Sequence, residues 1–241
     1  MTKVVFDRVA SLLGLAVLSP LFASVLLLVF LQDGRSPLYV AERAGRQGKP
    51  FRMVKIRSMV VGADRLGGTS SPSDDRRITP VGAYIRRFKI DELFQLWNVL
   101  KGEMSLVGPR PQTLEEVASY STIEQGLLAV KPGITDFASI VFADEGDILR
   151  GFPNPGLAYR QLIRPWKSRL GLFYVSHRTA LLDLQLIALT LLRIVAPDRA
   201  IGGVSRLLAK GGASKELVNV ARRRTPLVPN AAPGMDEPFK N

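Results

Sequence analysis

Two adjacent carboxylates, Asp91 and Glu92, open a short apolar segment, and a third carboxylate, Glu103, follows that segment after a Lys-Gly pair. Carboxylates suit either a covalent nucleophile or the binding of a hard cation such as Mg²⁺. We expect Asp91 and Glu92 at the start of a helix, where the backbone dipole favours their ionised form and lowers their proton affinity. That state suits a nucleophile or a Mg²⁺ ligand better than a general acid. The alternative is that the pair only stabilises the start of the helix.

An arginine between two prolines closes the same stretch. Pro109 and Pro111 favour an extended backbone at Arg110, and a fixed guanidinium can bind a phosphate through two parallel hydrogen bonds at little ordering cost. Lys55 and Arg57 lie two residues apart, so on a strand they share a face. They form either a solvated basic face or a site for a phosphate, and the sequence does not decide between a donor phosphate and a lipid phosphate.

The composition excludes several kinds of site. The 241 residues include no cysteine, which excludes disulfides, thiolate metal sites and a cysteine nucleophile. The single histidine, His177, excludes a histidine-rich metal site and is expected on a helix surface. A formal charge of +12 predicts anionic partners, such as nucleic acid, anionic lipid or phosphorylated substrates. No nucleic-acid-binding motif is present, and the acidic loop with Asp144, Glu145 and Asp147 is typical of a solvated turn.

One apolar segment indicates a membrane. Residues 9–31 carry no charge and would form roughly 34 Å of helix, enough to cross a bilayer. A single spanning helix is one interpretation. However, the central Ser19-Pro20 predicts a kink, and basic residues on both sides favour a cytoplasmic location for both ends. We therefore predict a re-entrant helix that enters and leaves one leaflet, with the Ser19 hydroxyl binding a carbonyl that the kink frees.

The remaining pattern predicts a mostly α-helical fold with one small β-hairpin, an α+β domain with amphipathic surface helices. The predicted elements are a hairpin over residues 38–59, a helix that begins at Thr79-Pro80, a helix over residues 113–130, a strand over residues 134–141 and an amphipathic helix over residues 167–195. We divide the chain into a re-entrant helix (1–34), a catalytic domain (35–200) and a basic, proline-containing flexible tail (201–241).

Several motifs in this order resemble a known family, the bacterial sugar transferases, which are monotopic polyprenyl-phosphate phosphoglycosyl transferases. The chain is similar to the minimal form of that family from Asp7 to about Pro197. The matching motifs are Ser19-Pro20, Lys55-Ile56-Arg57-Ser58-Met59, Arg77-Ile78-Thr79, Val81-Gly82, Asp91-Glu92-Leu93, Asn98-Val99-Leu100-Lys101-Gly102-Glu103-Met104-Ser105, Val107-Gly108-Pro109-Arg110-Pro111 and Lys131-Pro132-Gly133-Ile134-Thr135.

The resemblance implies a reaction in which a UDP-sugar donates its phosphosugar to a membrane polyprenyl (undecaprenyl) phosphate and releases UMP. It implies that Asp91 is the nucleophile that forms a covalent phosphosugar intermediate, supported by Glu92 and a Mg²⁺ ion. Glu103 is a further candidate for holding the metal or orienting Arg110. The implied product is polyprenyl-diphosphate-sugar, the first membrane intermediate of an exopolysaccharide, O-antigen, capsule or glycoprotein glycan.

The resemblance also implies a location on the cytoplasmic face of the bacterial inner membrane, in contact with anionic lipids and without nucleic acid. The oligomeric state stays open, with a homodimer as one alternative. A non-catalytic protein that only binds anionic lipid is the competing hypothesis. Two positions depart from the family pattern: Phe94 replaces a typical proline, and Asp136-Phe137 stand where many members have Thr-Gly. The second departure is expected to mark a subgroup with a different sugar, which the sequence does not name.

Overall fold

The computed structural model describes residues 2–66 and 71–239, and it is predominantly helical. Its long helices are α1 (Thr2–Asp33), α9 (Arg164–His177), α10 (Ala180–Val195) and α11 (Pro197–Lys210). Its short helices are α2 (Pro80–Arg87), α3 (Ile90–Leu93), α4 (Leu96–Lys101), α5 (Leu114–Ala118), α6 (Phe137–Val141), α7 (Glu145–Ile148), α8 (Pro155–Ala158) and α12 (Lys215–Ala221). Its strands are β1 (Leu38–Ala44), β2 (Pro50–Ile56), β3 (Ser105–Val107) and β4 (Gly133–Thr135). The predicted mostly helical class is confirmed.

The predicted hairpin is confirmed. Strands β1 and β2 pair antiparallel, with Leu38 opposite Ile56 and Ala44 opposite Pro50. A second, parallel pair joins β3 to β4, with Ser105 opposite Gly133 and Val107 opposite Thr135. This second sheet is too short to be evident in the sequence, yet it sets the path of the chain into Arg110.

Helix α1 is long and apolar enough to cross a membrane by length and composition. Pro20 lies inside it, and the helix continues through that position. Proline has no N–H to donate to the carbonyl four residues earlier, which is that of Ala16. The Ser19 hydroxyl donates to this carbonyl at 2.7 Å, as the sequence predicts.

Both ends of α1 are held by polar contacts to the same domain. Near its start, Asp7 is buried and accepts a hydrogen bond from the Ser105 hydroxyl at 2.7 Å. At its end, Asp33 accepts two hydrogen bonds from the Arg57 guanidinium, at 2.6 and 2.7 Å. Between these contacts, Phe22 packs edge-on against the ring of Phe94. The helix therefore lies along the domain instead of projecting away from it.

The main core lies in the second half of the chain and is formed by α6, α9, α10, α11 and α12. The single predicted helix over residues 167–195 is wrong, because α9 ends at His177 and Thr179 caps a separate helix α10. The helix predicted over residues 113–130 is also wrong: α5 ends at Ala118, and a 3₁₀ segment follows over Glu124–Ala129. The strand predicted over residues 134–141 is replaced by β4 and α6, since Asp136 caps α6 through Ser139.

The prediction of a flexible tail from residue 201 is wrong for the residues that form α11 and α12. The proposed boundary at residue 200 falls inside α11, whose Val204 and Leu208 are fully buried in the main core. In α12, Leu217 and Val218 are buried in the same core. The apolar side chains of α11 recur at helical spacing, and this periodicity outweighs the basic, glycine-containing composition that suggested a tail.

Candidate active site

Asp91 lies at the first turn of α3, as the sequence predicts, although α3 has only four residues. Thr79 begins the preceding helix α2 by accepting a hydrogen bond from the Gly82 N–H at 2.9 Å. Lys89 then adopts a left-handed backbone (φ 56°) and turns the chain between the two helices. This turn brings the side chain of Asp91 inward, where it is 7% exposed.

Asp91 is a buried carboxylate without a partner. Within the described part of the chain it makes no hydrogen bond or ion pair, and its Oδ1 is fully enclosed. Burial, and then the neighbouring charge of Glu92, raise the pKa of Asp91, whereas Lys55 and Arg86 act in the opposite direction. The prediction that the helix dipole lowers the pKa of Asp91 is therefore wrong, because burial has the larger effect. A buried carboxylate oxygen without a protein partner is available to bind a ligand or a cation.

Glu92 is in the opposite situation, because it is paired on both oxygens. Its Oε2 accepts a hydrogen bond from Arg110 at 2.7 Å, and its Oε1 accepts a second, shorter one from the same guanidinium. Burial alone would raise the pKa of Glu92, but the charge and hydrogen bonds of Arg110 outweigh it and hold that pKa well below its usual range. The same contact raises the pKa of Arg110. Glu92 therefore stays ionised and positions Arg110.

Two close backbone contacts fix the loop that carries Arg110. The Gly108 N–H donates to the carbonyl of Thr135, and the Gly133 N–H donates to that of Pro109, both at 3.0 Å. A Cβ at Gly108 would lie 2.5 Å from the carbonyl oxygen of Lys131, so this crossing requires glycine. Pro109 and its neighbour Pro111 are buried on either side of the half-buried arginine. These backbone contacts and the two buried prolines restrict the backbone at Arg110, which is consistent with the prediction of a fixed guanidinium.

Lys55 belongs to the same cluster as Asp91, Glu92 and Arg110. Burial and the repulsion of the Arg110 guanidinium lower the pKa of Lys55 to about 8, while Glu92 and Asp91 act in the opposite direction. At pH 7 the ammonium form therefore still predominates by roughly ten to one. Lys55 and Arg110 together offer two positive charges next to an unpaired carboxylate, which suits a phosphorylated ligand.

Arg57 and Glu103 lie outside this cluster. The Arg57 guanidinium is 7% exposed and is occupied by Asp33 and by the carbonyls of Ser36 and Arg35. Arg57 thus joins the end of α1 to the hairpin, and it follows β2 instead of sharing its face with Lys55.

Glu103 accepts hydrogen bonds from the Asn98 amide and the Lys101 ammonium, both at 2.7 Å. Asn98 in turn bonds the backbone of β2 at Arg52 and Val54. Glu103 therefore supports the contact between α4 and β2 and does not orient Arg110.

Sequence reasoning missed other residues near Arg110. Glu145 lies close enough that its charge contributes to raising the pKa of Arg110, and Glu145 itself pairs with Lys167. The buried Asp136 also interacts electrostatically with Lys167 and Arg110. The predicted solvated acidic turn is confirmed for Asp147, whose side chain is 62% exposed, whereas Asp144 pairs with Arg223 at 3.0 Å. None of these pairings is evident from the local sequence.

The residues present fit a Mg²⁺ ion in part. No group of three or more acidic or histidine side chains is gathered for a metal within residues 2–66 and 71–239. Mg²⁺ commonly takes only one or two carboxylates and completes its shell with water and substrate phosphates. The unpaired Oδ1 of Asp91 fits that arrangement, whereas both oxygens of Glu92 are occupied by Arg110. Asp91 is therefore the better candidate ligand of the two predicted ones.

The titration of Lys55 tests this picture of the cluster. In protein labelled with ¹³C-lysine, we expect one side-chain resonance to titrate near pH 8, because burial and Arg110 disfavour the ammonium form. That resonance should disappear in Lys55→Arg and persist in Lys49→Arg, which alters an exposed lysine in the hairpin turn. Titration of the Lys55 resonance above about pH 10 would contradict the proposed proximity to Arg110.

Several known proteins are similar to this chain. The sequence profile described as "Bacterial sugar transferase" matches residues 1–197. An uncharacterized sugar transferase, EpsL, from Bacillus subtilis (strain 168) is 32% identical over 81% of this chain and 88% of its own length. A second protein of that strain, named as a candidate undecaprenyl-phosphate N-acetylgalactosaminyl 1-phosphate transferase, is 46% identical over 46% of this chain. The UDP-galactose-lipid carrier transferase of Erwinia amylovora is 38% identical over 55% of this chain.

The matched regions span 62% of the second Bacillus relative and 31% of the Erwinia relative, less than two thirds of either. The profile match, by contrast, covers most of the present chain, and it includes every residue of the Asp91, Glu92, Arg110 and Lys55 cluster. The chain belongs to the bacterial sugar transferase family.

Proposed function

We propose that this protein transfers a phosphosugar from a UDP-sugar to a polyprenyl phosphate, with release of UMP and formation of polyprenyl-diphosphate-sugar. The observation that carries the proposal is the buried, unpaired carboxylate of Asp91 beside the cations Lys55 and Arg110. A structural carboxylate in that position would be paired with one of these cations, as Glu92 is. The names of the relatives, which include undecaprenyl-phosphate and UDP-galactose-lipid carrier transferases, support the same reaction class.

The chemistry follows in two displacements at one phosphorus atom. An oxygen of Asp91 attacks the sugar-bearing phosphorus of the donor, the bond from that phosphorus to the bridging oxygen breaks, and UMP leaves with the electron pair. A phosphate oxygen of the polyprenyl phosphate then attacks the aspartyl phosphosugar, and the carboxylate of Asp91 is released. The two steps transfer the group without any oxidant or external proton source, and the nucleophile is regenerated.

The charges of the site match these steps. A carboxylate that attacks a diphosphate meets like charge, so the transition state requires cations around the phosphoryl oxygens. Arg110 can bind them while Glu92 holds its guanidinium in place, and Lys55 adds a second charge. Burial raises the pKa of Asp91, and a divalent cation bound beside it would favour the ionised nucleophile.

A Mg²⁺ ion, held by Asp91 and the donor phosphates, would supply charge neutralisation for the leaving UMP. Glu92 would contribute indirectly, by fixing Arg110. We retain Lys55 as a phosphate ligand and omit Arg57 and Glu103, because both are occupied by neighbouring protein groups. Pro109 and Pro111 are buried on either side of Arg110 and shape the loop that carries it.

The geometry of α1 supports a re-entrant, monotopic arrangement at the cytoplasmic face of the inner membrane. Polar contacts tie Lys3 and Asp7 near its start, and Asp33 at its end, to one domain. A helix that crossed a bilayer would place those ends on opposite sides, some 30 Å apart in depth. The exposed side of α1 is almost wholly apolar, with residues such as Val17 and Leu31 facing outward. Lipid is the environment that suits this face.

This placement brings the reaction to the acceptor. The phosphate of a polyprenyl phosphate lies at the level of the lipid headgroups, and the chain's positive charge would attract that anionic surface. Helix α3 with Asp91 packs against the second half of α1 through Ile90 and Leu93. The proposed nucleophile is therefore held close to the membrane-facing element, as a reaction with a lipid phosphate requires.

Release of UMP tests the activity. Purified protein with Mg²⁺, polyprenyl phosphate and a panel of UDP-sugars should release UMP in multiple turnovers only when the acceptor is present. Asp91→Asn should reduce the rate by roughly a thousandfold or more, because the nucleophile is lost. Asp147→Asn, which alters an exposed carboxylate paired with Arg150, is the matched control and should stay within about twofold. Full turnover by Asp91→Asn would rule out the proposed nucleophile.

The topology of α1 is a separate prediction. Because the chain has no cysteine, single cysteines can be placed before Met1 and at Ser36 without a background signal. A membrane-impermeant maleimide should label neither site in spheroplasts and both sites in inverted membrane vesicles. Labelling of the N-terminal cysteine alone in spheroplasts would show that α1 crosses the membrane, and the re-entrant arrangement would be abandoned.

A further inference from the structure

Gln95 is a second buried polar residue whose side chain lacks a protein partner, and it follows Asp91 by one helical turn. It is 2% exposed, and its side-chain nitrogen, Nε2, is fully enclosed and donates no hydrogen bond within the described part of the chain. Its backbone, in contrast, is bonded. The Gln95 N–H donates to the carbonyl of Glu92 at 3.0 Å, and the Gln95 carbonyl accepts from the Val99 N–H at 3.1 Å. The group left available is therefore the amide at the end of the side chain.

Gln95 and Asp91 lie on the same side of the segment that joins α3 to α4. Phe94 and Gln95 both have helical backbone angles, so the chain continues to turn from one helix into the next. Side chains three or four residues apart share a face of a helix, and Asp91, Gln95 and Asn98 have this spacing. The Asn98 amide bonds the backbone of β2, and the charge of Lys55 on β2 acts on Asp91. The face that bears Gln95 is therefore directed toward β2 and the proposed active site.

The unpaired atoms of these two residues are complementary. Oδ1 of Asp91 is an enclosed acceptor, and Nε2 of Gln95 is an enclosed donor. Neither atom is bonded to the other in this structure, and neither has another partner among the described residues. An enclosed amide that forms no hydrogen bond destabilises the folded state, and pairing with an acceptor offsets that cost. The two side chains are thus suited to bond each other.

We infer that Gln95 is a positioning residue of the reaction: its side-chain N–H donates to Oδ1 of Asp91 while the other carboxylate oxygen is bonded to phosphorus. The inference rests on the proposed covalent mechanism. The torsion that turns a carboxyl group is broad, so a carboxylate without partners can rotate, and a hydrogen bond on Oδ1 restricts that rotation. The donor is a neutral amide, so it orients Asp91 without the ion pair that Lys55 or Arg110 would form.

This hydrogen bond acts differently in the two displacements. In the first, Oδ2 of Asp91 bonds the phosphorus, the bond to the bridging oxygen breaks, and UMP leaves with the electron pair. Negative charge then leaves the carboxyl group, and the hydrogen bond on Oδ1 weakens. In the second, an acceptor phosphate oxygen bonds the phosphorus, the bond to Oδ2 breaks, and the electron pair returns to Asp91. Hydrogen bonds to a charged acceptor are roughly twice as strong as those to a neutral one, so Gln95 favours the second displacement.

The test removes the amide and keeps the volume of the side chain. Gln95→Met and Gln95→Leu introduce apolar side chains of similar size, and Gln125→Met is the matched control at an exposed glutamine. For each protein, the phosphosugar adduct is formed with Mg²⁺ and the preferred UDP-sugar, separated from the donor and mixed with polyprenyl phosphate. The mass of the acid-quenched protein gives the rates of adduct formation and of transfer, and the melting temperature is measured in parallel.

We expect both Gln95 variants to transfer the phosphosugar about tenfold more slowly than wild type, because the charge that returns to Asp91 lacks its hydrogen bond. Adduct formation should stay within about threefold and the half-saturating donor concentration within about twofold, because Gln95 does not contact the donor. The melting temperatures should equal or exceed that of wild type, because an apolar side chain replaces a buried amide without a partner. Gln125→Met should match wild type in every measurement.

Transfer at the wild-type rate in both variants would overturn the inference. A clearly higher half-saturating donor concentration would place Gln95 in contact with the donor, and a lower melting temperature with an equal loss in both steps would make Gln95 a structural residue. Either of these results also overturns the inference. Absence of any adduct in wild type would refute the covalent mechanism and the inference together, whereas an adduct that the variants transfer normally would refute the role of Gln95 alone.

Discussion

The ion pair between Glu92 and Arg110 connects the two parts of the chain on which the site depends. Glu92 lies on α3, directly after the proposed nucleophile, and Arg110 lies on the loop that follows β3. Their side chains are 16% and 29% exposed, so their attraction is only partly screened by solvent. Because Arg110 takes both oxygens of Glu92, the adjacent Asp91 remains unpaired. One contact thus positions the phosphate-binding group and leaves the reactive carboxylate available.

The second constraint is the attachment of α1 at both ends. Near its start, Asp7 contacts Ser105 in β3, the strand that leads to Arg110. At its end, Asp33 contacts Arg57, which directly follows β2, the strand that bears Lys55. Near the start of α1, Lys3 pairs with the buried Asp183 at 2.5 Å, and the Tyr174 hydroxyl bonds the same carboxylate and the carbonyl of Val107. Helix α1 and the Asp91 cluster are therefore parts of one packed unit. In the proposed membrane placement, this arrangement would fix the depth of the cluster relative to the lipid surface.

Local sequence patterns predicted much of the site, whereas pairings between residues far apart in the sequence were not predicted. The Thr79-Pro80 helix start, the hairpin and the helical setting of Asp91 depend on neighbouring residues, and all are confirmed. The role of Arg57 depends on Asp33, which precedes it by 24 residues, and no local pattern indicates that pairing.

Two errors had a recognisable cause. The break between α9 and α10 contains neither glycine nor proline, but Thr179 is an N-cap that accepts a hydrogen bond from the Leu182 N–H. In α11, Ala200, Val204 and Leu208 recur every four residues, a helical period that the basic composition obscured. The burial that raises the pKa of Asp91 could not be inferred, because it arises from the packing of α1, β2 and the Arg110 loop around α3.

The most direct test of the central claim is the mass of the intact protein after incubation with its preferred UDP-sugar and Mg²⁺ in the absence of polyprenyl phosphate. The proposed mechanism predicts a gain equal to one phosphosugar, located on Asp91 by peptide analysis after an acid quench and lost when the acceptor is added. An adduct of the same mass in Asp91→Asn, or wild-type turnover that never yields an adduct and releases UMP only by direct transfer to the acceptor, would contradict covalent catalysis by Asp91.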